Sequence, residues 1–430
     1  MTGRPPPPAD RLAATLGRLL GPEFPPALGL AVSGGGDSMA MLHMVAGWAR
    51  PMGIALRVAT VDHGLRPDSA AEAAMVADEC AGLGLPHDIL HWKWDGQGNL
   101  MAAAREARLR LLGEWRGDLR HIAVAHTEDD LAETFLMRLA RGSGVDGLAA
   151  MDEARAMPGD WTLIRPMLAI SRAELRHYLK TLRIPFVDDP TNDDPAYDRT
   201  RARAALAALA PLGIDGPGLA ATARRLSRAR TALARQAAEA AARLAPSDPP
   251  RVTEGDVLLD RDGFAALDIE IQLRLLAGAL QLVVSDPYRP RLNPLEEALD
   301  RTLGGGVSTL HGGMIVPRGG TIYVFREPKA VEGLASPVGA PEPWDGRWRV
   351  DGPATDGVEI RALGPEGLAQ VPDPDLGGAP RALSWSKPAV WQGDRLLACP
   401  ALGYGSGYTV RHDSPLAPGP DGLSHLLLSR

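Results

Sequence analysis

The sequence predicts an α/β protein: a doubly wound parallel sheet, then a helical domain, then a small β-rich C-terminal domain. Three observations carry this. Short apolar runs alternate with helical stretches from residue 27 to 141. Past Gly213 the texture changes to long helices rich in Ala and Arg. Over 329–344, "KAVEGLASPVGAPEPW", the composition is that of a linker, and beyond it Pro, Gly and short strand-like runs dominate. The expected divisions are 1–212, 213–330 and 345–430.

In order, 27–32 is an apolar run short enough for a buried strand, and 39–50 is a helix. The pattern repeats with strands at 54–61, 87–92 and 121–125, and helices at 69–83, 99–115 and 129–141. A further helix, "SRAELRHYLKTL", starts at Ser171 and leads into a polar, Pro-containing loop. Helices follow at 218–244 and 269–283, and "TLHGGMIVPRGGTIYVFREP" is a hairpin. Ligands of such sheets sit at the C-terminal ends of strands. There lie "SGGGDS" after the first strand, "VDHGLRP" after the second and "HTEDD" after the fourth.

Composition narrows the class. At 430 residues the chain is long enough for two or three domains. Cys80 and Cys399 are its two cysteines, far apart, which excludes a disulfide scaffold and a CxxC pair and suits a reducing cytoplasm. The start, "MTGRPPPPAD", has a proline run where a signal peptide has an apolar one, and no stretch is long and apolar enough to span a membrane. A cytoplasmic protein is expected. The net charge of −7 argues mildly against nucleic acid, but local charge decides such binding. Four of the 46 basic residues are lysine, so arginine position carries more information than arginine number.

In "SGGGDS" the glycines permit a tight turn into a helix, and Asp and Ser suit a helix start. The same stretch makes an anion cradle. Backbone N–H groups of Gly34, Gly35 and Gly36 approach a phosphate, and Ser33 and Ser38 add hydroxyls. Asp37 repels a phosphate unless a cation lies between them, which points to Mg²⁺. No Lys follows the last glycine, so this is not a Walker A loop. In "HTEDDLAET", Asp130 and Glu133 are three apart and share a helix face. In "NLMAAAREARLRLL", so do Arg105 and Arg108. Taken singly, these are also ordinary helix-start acids and solvated arginines.

Together the motifs resemble a known family. "SGGGDS" is the signature of the PP-loop ATP pyrophosphatases, with an adenine nucleotide alpha-hydrolase-like fold. "VDHGLRPDSAAEA", "NLMAAAREARLRLL", "HTEDDLAETFLMRLARGSGVDGLAAM", "RPMLAISRAEL" and "DDPTNDDPAYDRTRAR" follow in the order of the tRNA(Ile)-lysidine synthetases. The resemblance is dense over 27–203 and looser beyond. It implies ATP-dependent joining of free lysine to C2 of the wobble cytidine in the CAU anticodon of tRNA(Ile). AMP is first transferred to O2 with loss of pyrophosphate, lysine's amine then attacks C2, and AMP leaves.

By the same resemblance, Ser33, Gly34, Gly35, Gly36 and Ser38 form the pyrophosphate loop, and Asp37 is a ligand of Mg²⁺. Asp62 and His63 lie near the nucleoside of ATP. Asp130 and Glu133 hold the lysine ammonium or complete the metal site. Arg105 and Arg108 meet the α-phosphate or the lysine carboxylate, and Arg199 and Arg203 keep basic substrate-binding positions. His126 is either a polar contact or a satisfied strand-end histidine. Leu131, Thr191 and Thr200 depart from the family's usual Gln, Ser and Asn. The competing readings are a tRNA thiolase, which needs cysteines not paired here, and a tRNA-binding protein with an inactive ATP site, against which Asp37, Asp130 and Glu133 argue. Related enzymes that carry a glutaminase domain fit less well, because none is found here.

On the helix over 218–244, Leu219, Leu226 and Leu233 form one stripe, and Arg224, Arg228 and Arg235 lie on the other side. These arginines form either a solvated face or a ridge that meets tRNA phosphates.

Overall fold

The apolar run that begins at Ala27 becomes the central strand of a six-stranded sheet in the computed structural model. The structure describes residues 5–64, 69–94, 96–98, 100–188, 198–414, 416 and 422–429. It divides into two compact units, Met1–Arg230 and Thr231–Arg430.

In the first unit, helix α1 (Pro8–Leu20) precedes β1 (Ala27–Ala31), α2 (Gly36–Met52), β2 (Ala55–Asp62), α3 (Ser69–Leu83) and β3 (His87–His91). Then come α4 (Leu100–Trp115), β4 (His121–Val124), α5 (Glu128–Leu139) and the short α6 (Val145–Leu148). The strands β5 (Ala154–Met157) and β6 (Trp161–Ile164) follow, and then α7 (Arg172–Leu182), α8 (Asp198–Leu209) and α9 (Gly216–Leu244), within which the division between units falls. The sheet order is β3-β2-β1-β4-β6-β5. It is parallel except at its edge, where β5 runs antiparallel to β6. The expected parallel sheet is present, with one antiparallel strand added at its edge. Neither β5 nor β6 is among the expected strands; β5, "ARAM", is mostly exposed and has no apolar alternation to reveal it, and an antiparallel edge on a parallel sheet is common.

The apolar runs face inward as their pattern requires. Leu28, Leu30, Met39, Met41, Leu42 and Val58 lie in one buried cluster, and Ile122, Trp161 and Leu163 in another. The strand order reverses direction at β1 and β4. In such sheets the crevice beyond that switch point is where ligands bind.

In the second unit, β7 (Val257–Asp260), β8 (Ser308–Leu310), β9 (Gly313–Arg318) and β10 (Thr321–Arg326) form an antiparallel sheet in the order β7-β10-β9-β8. Helix Ile269–Val284 is buried on all sides from Ile271 to Val283, so it is the core helix of this part. Leu423, Leu426 and Leu427 of the terminal helix join its cluster. The smaller sheets pair β11 (Ala335–Pro337), β13 (Val358–Ala362), β14 (Pro388–Gln392) and β15 (Arg395–Ala398), and β12 (Trp348–Asp351) with β16 (Thr409–His412).

The stretch 329–344 is not a linker. Val331, Val338 and Trp344 are buried with Trp348 and Ile360, and β11 pairs with β13. Its prolines and glycines belong to turns and to an edge strand, where the missing N–H of Pro337 costs little.

Within this unit a buried ion pair joins distant segments. Lys387 Nζ donates to Asp256 Oδ2 at 2.6 Å and to the Glu254 carbonyl at 2.7 Å. Burial pushes the Asp256 carboxyl up to about 6, against the pull of Lys387. Lys387→Met is expected to destabilise the unit by about 3–5 kcal/mol, because it strands a buried carboxylate. A drop in the denaturant midpoint checks this, and an unchanged midpoint refutes it.

Candidate active site

The loop after β1 is shaped by one strained turn. Gly34 has φ +85°, a conformation that disfavours any side chain. A Cβ there meets Met75 Cε at 3.4 Å and the Glu72 carbonyl at 3.5 Å. The Gly34 carbonyl accepts from the Val187 N–H at 3.0 Å, which braces the loop from the far side. Ser38 Oγ accepts from the Ser33 N–H at 3.1 Å and donates to the Gly35 carbonyl at 2.9 Å. Its role in the structure is thus to tie the loop to the first turn of α2. Ser33 is exposed and its Oγ lies 3.3 Å from that of Ser38.

Helix α2 starts at Gly36, three residues earlier than its apolar pattern suggests, so it takes in Asp37 and Ser38. No side chain caps it. By contrast, α5 and α7 both carry reciprocal capping boxes, Thr127 with Asp130 and Ser171 with Glu174. The dipole and first amides of α2 are therefore offered to an anion. Gly34→Ala is expected to leave the fold intact and weaken ATP binding about tenfold, the equivalent of ~1–2 kcal/mol for forcing φ > 0. Calorimetric titration with ATP measures this, and unchanged affinity removes the loop from the nucleotide site.

The acids converge on one arginine. Arg172 opens α7 and donates from Nε to Asp37 Oδ2 at 3.1 Å, from Nη2 to Asp130 Oδ1 at 3.2 Å and from Nη1 to Glu133 Oε1 at 3.2 Å. Its backbone N–H donates to Asp129 Oδ2 at 2.7 Å. Two more arginines flank the acids: Arg199 Nη1 lies 3.6 Å from Asp130 Oδ1, and Arg203 Nε 2.6 Å from Glu133 Oε1. Asp130 Oδ2 is held by the Thr127 N–H and hydroxyl, both at 2.9 Å. Asp130 and Glu133 are nearly fully buried, while Asp37 is partly exposed. Burial raises the Asp37 carboxyl, and Arg172 works against it. Burial also pushes Asp130 up, but Arg199 and Arg172 outweigh it and hold that carboxyl below its ordinary value. Burial opposes the charge on Arg172, but Asp130, Asp37 and Glu133 prevail and raise its pKa above the usual one.

Arg172, the partner of all three acids, is not among the residues expected from the sequence. It sits inside the quoted motif "RPMLAISRAEL", but nothing local separates it from other arginines.

The other expected residues divide. Asp62 and His63 follow β2, and Asp62 Oδ1 accepts from the Gly64 N–H at 2.9 Å. That bond, more than the nearby His91, lowers the Asp62 carboxyl. His63 stacks edge-on with Trp92 at 5.6 Å, and both its ring nitrogens are buried without a hydrogen-bond partner among the described residues. Burial, helped by Arg108 and opposed by Asp62, lowers its pKa. Arg108 is exposed at its surface, and crowding by protein atoms, then the charges of Arg199 and Arg105, lower its pKa. Arg105 is exposed, and its charge is also felt by Arg165. His126 accepts at Nδ1 from Arg165 Nε at 3.2 Å, and burial drives its pKa down to about 4, so it is neutral and half satisfied.

Leu131 is a core residue, packed with Phe135, Ala150, Ala220 and Ala223, so its departure from the family pattern falls away from the acids. Thr191, with the rest of 189–197, and the "LRPD" part of the second motif lie outside the described residues. Arg224 is not part of an open ridge. It donates to the Leu168 carbonyl at 3.2 Å and to Glu128 Oε1 at 3.1 Å, whereas Arg228 and Arg235 are exposed.

Residues 8–210 match the family model of the PP-loop domain. The chain is 46% identical to the tRNA(Ile)-lysidine synthase of Ruegeria pomeroyi, over 91% of this chain and 92% of that protein. It belongs to the tRNA(Ile)-lysidine synthase family. The enzymes of that name in Bradyrhizobium sp. (44% identical, covering 65% of this chain and 80% of that one) and Wolbachia pipientis wMel (34% identical, covering 87% and 88%) are further relatives. Membership of this synthase family makes the chain an enzyme of the ligase type with a PP-loop ATP-binding domain. The glycine turn and the uncapped N-terminus of α2 lie within the matched residues. Among the described residues no group of three or more His, Cys, Asp or Glu is placed to hold a metal by itself. A divalent ion held by one carboxylate and the phosphates of a nucleotide needs no such group. Asp37, at the mouth of the loop with one oxygen bonded to Arg172, fits that arrangement.

Proposed function

We propose that this enzyme joins free lysine to C2 of the wobble cytidine in the CAU anticodon of tRNA(Ile), using ATP and releasing AMP and pyrophosphate. The observation that carries the reading is the convergence of Asp37, Asp130 and Glu133 beside the uncapped loop, in a chain of this family. The loop amides of Gly34, Gly35 and Gly36 hold the departing pyrophosphate at the start of α2. Asp37 holds Mg²⁺, which when bound offsets the charge that develops on the phosphates. Asp62 and His63 face the nucleoside. Arg105 and Arg108 receive the α-phosphate or the lysine carboxylate, since neighbouring guanidinium groups favour anions.

Cytidine O2 is a poor leaving group until AMP is attached to it. The adenylate makes C2 electrophilic, and the amine of lysine, placed by Asp130 and Glu133, displaces AMP. His126 is neutral beneath them and serves as a polar contact, with Arg165 fixing its ring. Release of AMP and pyrophosphate from labelled ATP that requires both lysine and tRNA(Ile) tests the proposal. Turnover without lysine, or with sulfur transfer to the tRNA, refutes it.

For tRNA docking, Arg228 and Arg235 on α9 remain as phosphate contacts, and Arg224 does not. Replacing both by Gln is expected to weaken tRNA binding and lower its salt slope by about 2, near one per lost phosphate contact. ATP affinity is expected to stay unchanged. Equal binding at every salt concentration makes this face an ordinary solvated surface.

A further inference from the structure

Arg172 is placed against the preference of its own helix. A cation in the first turn of α7 opposes the helix dipole. What holds it is three carboxylates, each taking a different nitrogen of one guanidinium, at 3.1, 3.2 and 3.2 Å. The local charge count is informative. Asp37, Asp130 and Glu133 supply three negative charges, and Arg172, Arg199 and Arg203 lie against them with three positive ones. Without Arg172 these three acids keep two of the three cations that lie against them, with the Asp129 carboxylate also close by. Arg199 and Arg203 come from α8 and pair with Asp130 and Glu133 respectively, whereas Arg172 pairs with both acids. Glu133 also has a second oxygen, Oε2, that is buried and has no hydrogen-bond partner among the described residues. Leaving such an oxygen unpaired is costly, and a further donor entering beside it recovers that cost. Arg172 itself is about one-fifth exposed, so its side chain borders solvent.

We propose that Arg172 is a stand-in cation: in the ligand-free enzyme it occupies the seat between Asp130 and Glu133 that the substrate lysine's ammonium takes, and it yields that seat when lysine binds. The proposal rests on the reading of Asp130 and Glu133 as the lysine site. Its logic is conservation of charge. One monovalent cation leaves the acids as another arrives, so buried carboxylates are never left short of a counter-charge. Arg172 is on this account a positioning residue. It keeps the acids ionised and spaced for a cation before the substrate comes. It also sets a threshold, because a ligand without a positive group cannot displace it.

The experiment uses Arg172→Ala in the full chain, with guanidinium ion as the probe and equal concentrations of KCl as the control. At about 10 mM, well below denaturing concentrations, guanidinium is expected to raise the melting temperature of the variant and leave the parent unchanged, by mass action on a vacated seat. In calorimetric titrations with free lysine, the same guanidinium is expected to weaken lysine binding to the variant several-fold and to leave binding to the parent unaffected. Arg172→Lys, which restores a fixed cation, is expected to abolish both guanidinium effects; it also serves as the test variant if the alanine form does not fold, since a Lys form sensitive to guanidinium overturns the proposal. Stabilisation by guanidinium without any effect on lysine binding makes Arg172 a structural counter-ion only and overturns the proposal. So does the absence of any guanidinium effect on the alanine variant. If lysine binds neither protein while guanidinium still stabilises the variant, the lysine reading of Asp130 and Glu133 fails, and the cation seat alone stands.

Discussion

Asp37→Ala is expected to reduce lysine- and tRNA-dependent release of pyrophosphate by about 10²–10³-fold or more, with the fold retained. The magnitude is that of removing one group that stabilises developing charge at a reacting centre. Retention of the fold follows from position. Asp37 lies at the partly exposed start of α2, and its side chain accepts a hydrogen bond from Arg172, not from the core. Asp37→Asn sharpens the test, because it keeps the size and the hydrogen bond to Arg172 but removes the charge. Both variants are compared by circular dichroism and by the rate of pyrophosphate release. Near-normal turnover of either sinks the assignment of Asp37 to the metal.

Glu133→Gln is expected to raise the KM for lysine by about 10²–10³-fold while changing ATP affinity less than about threefold. Glu133 is 2% exposed, and its Oε1 is shared by Arg172 at 3.2 Å and Arg203 at 2.6 Å. Removing a buried carboxylate from such a cluster costs about 3–5 kcal/mol, because the guanidinium groups keep their charge and lose their partner. The loss is concentrated on the cationic substrate, since a nucleotide adds negative charge and meets the loop of α2. Steady-state kinetics in lysine and a parallel titration with ATP separate the two. Equal losses in both place Glu133 in the metal site instead.

The chemistry-bearing residues were legible because their types and places are local properties. An apolar run followed by Gly34, Gly35 and Gly36 has few conformations, and an acid after it contradicts phosphate binding unless a cation is present. Asp130 and Glu133 share a face by helical spacing alone, and the structure brings both to the same guanidinium as Asp37. Other features were not legible. Arg224 falls on the polar side of its helix, but a helix's own periodicity does not say which neighbour that side meets, and Glu128 lies 96 residues away. The stretch 329–344 has the composition of a linker, and three of its apolar residues are nonetheless buried, because the strands they pack on come from later in the chain.

What the sequence by itself determined is the order of the first four parallel strands and the helices between them, the glycine turn after the first strand and the shared helix face of Asp130 and Glu133, because each depends on residues within one or two turns of chain. What only the tertiary structure decided is the partner of those acids. Arg172 is 135 residues from Asp37 and about forty from Asp130 and Glu133. Its selection among 42 arginines depends on where α7 starts relative to α2 and α5. Ion pairing acts through space over a few ångströms, and the chain separation that hides it from sequence does not enter its energy.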